Sequence, residues 1–413
     1  MKKTPKSLRL QIGIFGRANV GKSSFLNLVA GQDVAITSSV AGTTTDVVEK
    51  TMELLPLGPV VFLDTAGIND ASELGSLRLK KTNKVFDRAD VIILICEPGI
   101  WTDYEEGILK DAGSRRIPVI LMVNKIDLAQ PGADFLDLLK SKSDKLILGS
   151  SLLYDERERL VGALKECLIK AAPEDFLNPL SLLGDLLPSG GLAVFIVPID
   201  LQAPKGRLIL PQVQAIRDAL DNDSAVTVVK EREYAHLLGR LKIQPDLVVC
   251  DSQVVLKMTA DTPVGVKCTT FSILFSRFKG DLIEAVRGVK VIERLKAQDK
   301  VLISEACSHH AIEDDIGRVK IPRWLRQYVG ADIKIDVCSG SDYPDNLKEY
   351  KLVIHCGACM LTRRQMLCRI QKAKEAGVAV TNYGVCIAFL QGVLKRALSP
   401  FPLALELLES SAP

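Results

Sequence analysis

The stretch LRLQIGIFGRANVGKSSFLNLVAG, residues 8–31, decides the fold of the front of the chain. It reads as an apolar strand, a loop of the form G-x-x-x-x-G-K-S from Gly16 to Ser23, and a helix. Glycines let the backbone amides of such a loop turn inward on a phosphate chain, and the helix N-terminus adds its dipole. Lys22 would reach the terminal phosphates, and the Ser23 hydroxyl would bind Mg²⁺. The sequence therefore predicts an α/β domain that binds a nucleotide.

A second strand, VVFLDTAG at residues 60–67, supplies the residues expected around the metal and the γ-phosphate. A carboxylate at the position of Asp64 can hold Mg²⁺ through water, and the N–H of Gly67 can meet the γ-phosphate. The residue after this motif is Ile68, where Ras-type enzymes place a glutamine that orients the attacking water. An isoleucine cannot do this, so we expect slow intrinsic hydrolysis.

Two further segments select the base. VILMVNKID, residues 119–127, is a strand that ends in Asn124, Lys125 and Asp127. The carboxylate of Asp127 can accept hydrogen bonds from N1–H and the 2-amino group of guanine, and adenine offers neither donor. LILGSSL, residues 146–152, ends in Ser150 and Ser151, where a backbone N–H can meet the guanine O6. The order and spacing of the four motifs predict a Ras-like GTPase domain.

Residues 16–23, 64–67 and 124–127 resemble those of the translation-factor-like GTPases, and GRANVGKSS with AGTTTD (41–46) is similar to the branch that contains the tRNA-modification and ribosome-assembly enzymes. That resemblance implies that Asn19 helps to hold K⁺ beside the phosphates, although a loop-capping amide is the alternative. It also implies that Thr44, or else Thr43, meets Mg²⁺. We expect GTP or GDP to contact Gly16, Asn19, Val20, Gly21, Lys22, Ser23, Ser24, Asp64, Gly67, Asn124, Lys125, Asp127, Ser150 and Ser151, with Lys22, Thr44, Asp64 and Gly67 in catalytic roles.

Composition excludes several classes of function. The chain has 413 residues, 47% of them apolar, and a net charge of only +3. This gives no support for a nucleic-acid groove or a membrane surface, and no run of apolar residues is long enough to span a bilayer. We expect a cytoplasmic protein of three domains: a GTPase domain at 1–172, a small α/β dimerisation domain at 173–268 and a C-terminal α/β domain at 269–413.

The middle domain reads as alternating strands and helices, which implies a small parallel sheet. The strands are predicted at 191–200, 224–230, 245–252 and 263–275, and a helix near 211–222 carries apolar residues at Val213, Ile216 and Leu220. A sheet this small has exposed edges, and pairing those edges across a two-fold axis would protect them. We therefore expect a homodimer.

The last domain places cysteines and histidines at the ends of strands. KVLISEACSHH (300–310) ends in Cys307 and His309, and KLVIHCGACM (351–360) contains His355, Cys356 and Cys359. Since ligands collect at the carboxyl ends of parallel strands, the three thiols can converge. A structural zinc, a redox pair or idle thiols at a buried strand end are all compatible with this pattern. Three thiolates with one open position suit a [4Fe–4S] cluster best.

The combination of GTPase motifs, a small α/β middle and C-x-H…H-C-x-x-C resembles the [FeFe]-hydrogenase maturation GTPases over essentially the whole chain. The resemblance implies a cytoplasmic, usually dimeric scaffold. It would hold a [4Fe–4S] cluster and a di-iron subcluster precursor, accept parts from radical-SAM maturases and serve apo-[FeFe]-hydrogenase. The fourth iron ligand would be His309, His355, Glu305 or water. The alternative is a GTPase of tRNA modification or ribosome assembly with a structural zinc domain.

Overall fold

The computed structural model describes residues 5–31, 48–65, 82–177, 180–198, 208–306, 315–340, 343–344 and 346–410. The chain divides into two compact units, Met1–Pro179 and Leu180–Pro413.

The first unit is built on a six-stranded sheet of order β2-β3-β1-β4-β5-β6, parallel throughout except that β2 runs antiparallel to β3. The inner strands β1 and β4 are buried along their whole length, because helices cover both faces of a parallel sheet. The strands are β1 Leu10–Phe15, β2 Val48–Leu54, β3 Gly58–Asp64, β4 Val91–Cys96, β5 Val119–Val123 and β6 Leu146–Leu148. The helices are α1 Lys22–Ala30, α2 Asp103–Ser114, α3 Ala133–Lys142, α4 Arg157–Ala171 and α5 Glu174–Leu177.

The second unit contains two four-stranded sheets, both wholly parallel. One has the order β10-β9-β7-β8, with β7 Leu192–Ile196, β8 Ala225–Val229, β9 Leu247–Cys250 and β10 Lys267–Thr270. The other has the order β12-β11-β13-β14, with β11 Lys300–Glu305, β12 Lys334–Ser339, β13 Leu352–His355 and β14 Ala379–Asn382.

The helices of the second unit lie between and around these sheets. One apolar core runs through the unit, since residues of β7, of the helix that follows β10 and of β11 belong to the same buried cluster. The helices are α6 Leu210–Asp221, α7 Tyr234–Leu238, α8 Val255–Asp261, α9 Phe271–Lys279, α10 Leu282–Val289, α11 Ile321–Val329, α12 Arg363–Glu375, α13 Tyr383–Leu390, α14 Leu394–Ala397 and α15 Pro402–Glu409.

The predicted fold class, a Ras-like P-loop domain followed by a small α/β domain and a C-terminal α/β domain, is confirmed. One local prediction is wrong. The segment 263–275 is not one strand, because β10 ends at Thr270 and its hydroxyl accepts a hydrogen bond from the amide of Ile273, which caps α9. The helix predicted near 211–222 is present as α6; its residues Val213 and Leu220 are exposed, and Ala215 and Ala219 face the core. The predicted domain boundaries stay predictions.

No helix within the described residues is long and apolar enough to cross a membrane.

Candidate functional site

The loop between β1 and α1 has the backbone that a phosphate cradle needs. Gly16 and Gly21 have φ of 152° and 96°, and a Cβ on Gly21 would lie 2.2 Å from Nδ2 of Asn124. Only glycine fits such positions without strain. α1 begins at Lys22 with Gly21 as its N-cap, so the first amides of the helix face the loop. The sequence prediction of a phosphate loop therefore has the right local geometry.

Lys22 is folded onto this loop. Its ammonium donates to the carbonyl oxygens of Gly16 and Arg17, both at 2.7 Å, and the side chain is 5% exposed. Burial lowers the pKa of Lys22, and the carboxylate of Asp64 opposes that shift. Asp64 ends β3, which pairs with β1, and is itself buried, so the two predicted catalytic side chains lie close enough for the Asp64 charge to act on Lys22.

The other predicted residues of this loop differ in exposure. Asn19 and Ser23 are exposed, Ser24 is half-buried and Val20 is buried. Asn19 has φ of 63°, a left-handed backbone that asparagine adopts more readily than most residues. This backbone accounts for an asparagine here and leaves its side chain open to solvent. Thr44, Gly67 and Ile68, together with Thr43, lie outside the described residues.

The side-chain amide of Asn124 joins the phosphate loop to the loop after β6. Nδ2 of Asn124 donates to the carbonyl of Val20 at 2.8 Å. Its Oδ1 accepts from both the amide and the hydroxyl of Ser151 at 2.9 Å. The hydroxyl of Ser150 accepts from the amide of Leu152 at 3.2 Å, which fixes the loop after β6. The structure thus brings Asn124, Ser150 and Ser151 together.

Lys125 and Asp127 complete this edge of the sheet. Lys125 has φ of 61° and pairs with Glu97, which follows β4. Asp127 is exposed, so its carboxylate is accessible to a ligand. A carboxylate oxygen of Glu97 also lies 3.8 Å from the guanidinium of Arg17 in the phosphate loop. Ion pairs through Glu97 therefore link the phosphate loop to the loop that contains Lys125.

Sequence reasoning missed the residues of α2 that support the phosphate loop. The amide of Gly16 donates to the hydroxyl of Tyr104 at 3.3 Å, and this hydroxyl lies 3.4 Å from the carbonyl oxygen of Gly16. Arg17 donates to the buried carboxylate of Glu105 at 2.9 Å, and that carboxylate also caps α2 through Thr102. No local motif marks these contacts, because they join residues 88 positions apart.

In the second unit, the C-x-x-C pair lies where β13 meets β11. Cys356 follows β13 directly, and its amide donates to the carbonyl of Ser304 at 3.0 Å. Its sulfur accepts from the amides of Ala306 at 3.1 Å and Ala358 at 3.4 Å. Both cysteines are half-buried, and Ala358 between them has φ of 52°, which turns the loop back on itself.

His355 is almost completely buried at the end of β13. Its ring stacks on Tyr343 at 5.6 Å between centroids, and Arg369 lies over the same tyrosine at 5.1 Å. Its Nε2 has no hydrogen-bond partner within the described part of the chain. Burial holds the pKa of His355 well below its usual range, and Arg369 acts in the same direction. The ring is therefore neutral, the form in which imidazole binds a metal.

Two other charged residues lie close to the cysteine loop or to β11. Lys279, the last residue of α9, donates to the carbonyls of Cys359 at 2.9 Å and Leu361 at 2.8 Å. Burial lowers the pKa of Lys279 to about 8, and Cys359 opposes that shift. Glu305, at the end of β11, accepts from Arg318 at 3.2 and 3.3 Å and from Tyr383 at 3.5 Å.

Cys307 and His309 lie outside the described residues, and Ala306 is the last described residue before them. Across the described ranges, no group of three or more His, Cys, Asp or Glu side chains is arranged to hold a metal ion. The donor set nevertheless fits an iron–sulfur cluster. Two half-buried thiols share one loop, backbone amides point at one sulfur, and Cys307 follows a strand whose end contacts that sulfur.

Three protein-family models match the chain. A model described as a 50S ribosome-binding GTPase matches residues 11–125. The hydrogen maturase F dimerization domain matches residues 182–280, and the hydrogen maturase F tetramerization domain matches residues 283–400. The two maturase models together cover over half of the chain.

The individual proteins that are similar to this chain match mainly its N-terminal part. The tRNA modification GTPase MnmE of Synechococcus sp. (strain JA-3-3Ab) is 40% identical over 122 residues, 29% of this chain and 26% of that protein. MnmE of Janthinobacterium sp. (strain Marseille) is 37% identical over 163 residues, with 37% and 34% covered. The chain thus spans about a quarter to a third of these relatives. A crystal structure of Era from Aquifex aeolicus matches with 22% identity and a TM-score of 0.32, covering 55% of this chain and 98% of that one.

Proposed function

Because this chain belongs to the hydrogen maturase F family of GTPases, we propose that it is a GTP-hydrolysing scaffold in [FeFe]-hydrogenase maturation. It holds a [4Fe–4S] cluster, receives a di-iron subcluster precursor from radical-SAM maturases and delivers it to apo-hydrogenase in the cytoplasm. The MnmE relatives match only the GTPase part, so they do not favour the alternative of tRNA modification with a structural zinc.

One observation carries the cluster proposal: the amide of Ala306, the residue before Cys307, donates to the sulfur of Cys356 at 3.1 Å. The two cysteine segments are about fifty residues apart in sequence, and the pairing of β11 with β13 brings their ends together. Cys307, Cys356 and Cys359 would hold three irons of a [4Fe–4S] cluster. When bound, this cluster offers a fourth iron whose ligand can be exchanged.

The fourth iron would need one further ligand. His309, His355, Glu305 and water are the candidates. His355 presents a buried neutral ring with an Nε2 that is free of hydrogen bonds among the described residues. Glu305 is already engaged by Arg318 and Tyr383 and would have to exchange those contacts to reach iron.

In the GTPase domain, the proposed reaction is attack of water on the γ-phosphate of GTP bound with Mg²⁺. Lys22 would neutralise the terminal phosphates, Ser23 and Thr44 would bind Mg²⁺, and Asp64 would hold that ion through water. Gly67 would position the γ-phosphate. K⁺ held near Asn19 would supply positive charge, and the absence of a glutamine at Ile68 makes turnover slow.

The potassium proposal is tested by turnover in matched KCl and NaCl buffers. We expect GTP hydrolysis to be faster in KCl and Asn19→Ala to remove most of that difference, because the exposed Asn19 amide would no longer hold the ion. Ser141→Ala is the control variant, because the exposed side chain of Ser141 lies on α3 and outside the predicted nucleotide and K⁺ sites. Equal turnover of the unchanged protein in both salts contradicts the proposal.

The cluster proposal is tested on protein purified without oxygen. We expect bound iron and sulfide with broad visible absorbance, and loss of both in Cys356→Ser. Cys167→Ser, on α4 in the GTPase unit, is the matched control and should keep the absorbance. Colourless protein with stoichiometric zinc, or a full cluster in Cys356→Ser, would overturn the ligand assignment.

A further inference from the structure

The buried side chain of Lys279 binds the backbone of the loop that carries Cys356 and Cys359. Lys279 is 1% exposed, and its ammonium lies 2.8, 2.9 and 3.5 Å from the carbonyl oxygens of Leu361, Cys359 and Ala358. The three acceptors belong to one short segment that begins with the C-x-x-C pair. Satisfying three acceptors takes three N–H groups, and only the protonated amine has them. The geometry therefore assigns a positive charge to Lys279.

That charge has no described counter-ion. Among the ion pairs of the described residues none includes Lys279, although its ammonium also lies 5.8 Å from the ring centre of Phe275. An isolated buried ammonium is costly unless an opposite charge or strong acceptors compensate it. Backbone carbonyls provide part of that compensation. The Cys359 thiol, which can become an anion, raises the pKa of Lys279 against the effect of burial, and the carbonyl of Cys359 is one of the three acceptors.

The conformation of this loop also has to be stabilised by contacts from outside it. Ala358 has φ of 52°, a left-handed conformation that is unfavourable for a residue with a Cβ. Hydrogen bonds from one ammonium to the carbonyls of Ala358, Cys359 and Leu361 favour this conformation over an extended one. The same bonds therefore fix where the two sulfurs lie relative to each other.

From these contacts we infer that Lys279 is a positioning residue for the metal centre: it folds the loop 356–361 and supplies the fixed positive charge that faces an anionic iron–sulfur cluster. The inference rests on the proposed cluster. Lys279 touches neither iron nor substrate and acts only through the loop carbonyls and its field. An iron–sulfur core bound by three thiolates carries a net negative charge, which this ammonium would stabilise, most strongly in the reduced form.

The test compares the unchanged protein with Lys279→Met, both loaded with a cluster without oxygen. We expect the variant to bind iron roughly 10- to 100-fold more weakly in a competition with a chelator, the range seen when outer-shell partners of a metal site are removed. We also expect a more negative midpoint potential in a titration followed by electron paramagnetic resonance, since a positive charge has been removed. A merely structural lysine would not move that potential.

Lys290→Met is the matched control. Lys290 belongs to the same unit and also donates to two carbonyls, of Leu407 at 2.8 Å and Ser410 at 3.0 Å. Its variant should keep the iron affinity and the potential of the unchanged protein. If Lys279→Met does not fold, Lys279→Gln, which keeps an N–H donor without the charge, is measured in the same way.

Unchanged iron affinity and unchanged potential in the variant that folds would overturn the inference alone. Failure of the unchanged protein to take up a cluster would overturn the proposed function and, with it, this inference. Thermal unfolding of the metal-free proteins separates a loss of loop order from a loss of the whole fold.

Discussion

At the scale of single residues, the side-chain amide of Asn124 connects two loops of the nucleotide site. It is 2% exposed, and its amide joins the carbonyl of Val20 to the amide and hydroxyl of Ser151. One planar group therefore holds the phosphate loop and the guanine loop at a fixed separation. A mutation here should disturb binding even though Asn124 need not touch the nucleotide itself.

We predict that Asn124→Ala weakens GDP binding and lowers the free energy of unfolding of the GTPase unit by about 1–3 kcal/mol, because Val20 and Ser151 lose buried partners. Fluorescence titration with a labelled GDP and urea denaturation without nucleotide measure the two effects. Asn27→Ala, a half-buried position on α1, is the control and should change stability by less than about 0.5 kcal/mol. Unchanged GDP affinity in Asn124→Ala would refute the bridging role.

Because each nucleotide motif follows a strand and strand ends meet at one edge of a parallel sheet, the sequence indicates that residues such as Asn124 and Ser151 lie together. The supporting contacts could not be predicted. Tyr104 and Glu105 lie 88 residues from their partners in the phosphate loop, and Lys279 lies about eighty from the carbonyls it binds. Such contacts depend on how helices dock, which no local pattern specifies.

At the scale of elements, α10 lies unusually close to β14. A Cβ on Gly288 would come within 1.9 Å of the carbonyl oxygen of Val380 and 2.6 Å of its carbonyl carbon. These are backbone atoms of a buried strand, so they cannot give way as a flexible side chain can. The hydroxyl of Thr381 also donates to the carbonyl of Ala285 at 2.8 Å, which fixes the same helix on the same strand.

We predict that Gly288→Ala destabilises the second unit by about 1–3 kcal/mol, the usual cost of inserting a methyl group into a packed interior. Gly162→Ala is the comparison, because Gly162 lies inside α4 and its added Cβ would meet nothing within 4 Å. That change should stabilise the first unit by about 0.5–1 kcal/mol, since alanine loses less backbone entropy in a helix. Thermal unfolding with a probe for each unit measures both, and a neutral Gly288→Ala would contradict the close packing.

The elements themselves were largely predictable, and the segment 263–275 is an exception. The alternation of apolar strands with helices indicates parallel sheets in both units. The run 263–275 is apolar without a clear period, so it could not reveal that a cap at Thr270 turns the chain from strand into helix. On α6 the small alanines Ala215 and Ala219 are buried, whereas Val213 and Leu220 face outward.

At the scale of the whole molecule, that outward face needs a partner. The chain carries dimerization and tetramerization domains. In the dimerization domain β8 is an edge strand, and Val228 on it is 40% exposed. α6 packs beside this edge and exposes Leu220 at 52%. An exposed apolar edge strand with an apolar helix face next to it is typical of a subunit interface.

We predict that Leu220→Glu and Val228→Lys each shift the protein to a smaller assembly, because a charge placed on this face would have to be desolvated when two copies meet. Leu256→Glu is the control: Leu256 is 53% exposed on α8 of the same domain, away from β8 in the sheet order, and its variant should keep the original mass. Sedimentation equilibrium at micromolar concentration distinguishes these outcomes. If both variants keep the mass of the unchanged protein, subunits meet elsewhere, and the exposed face of α6 and β8 has another partner.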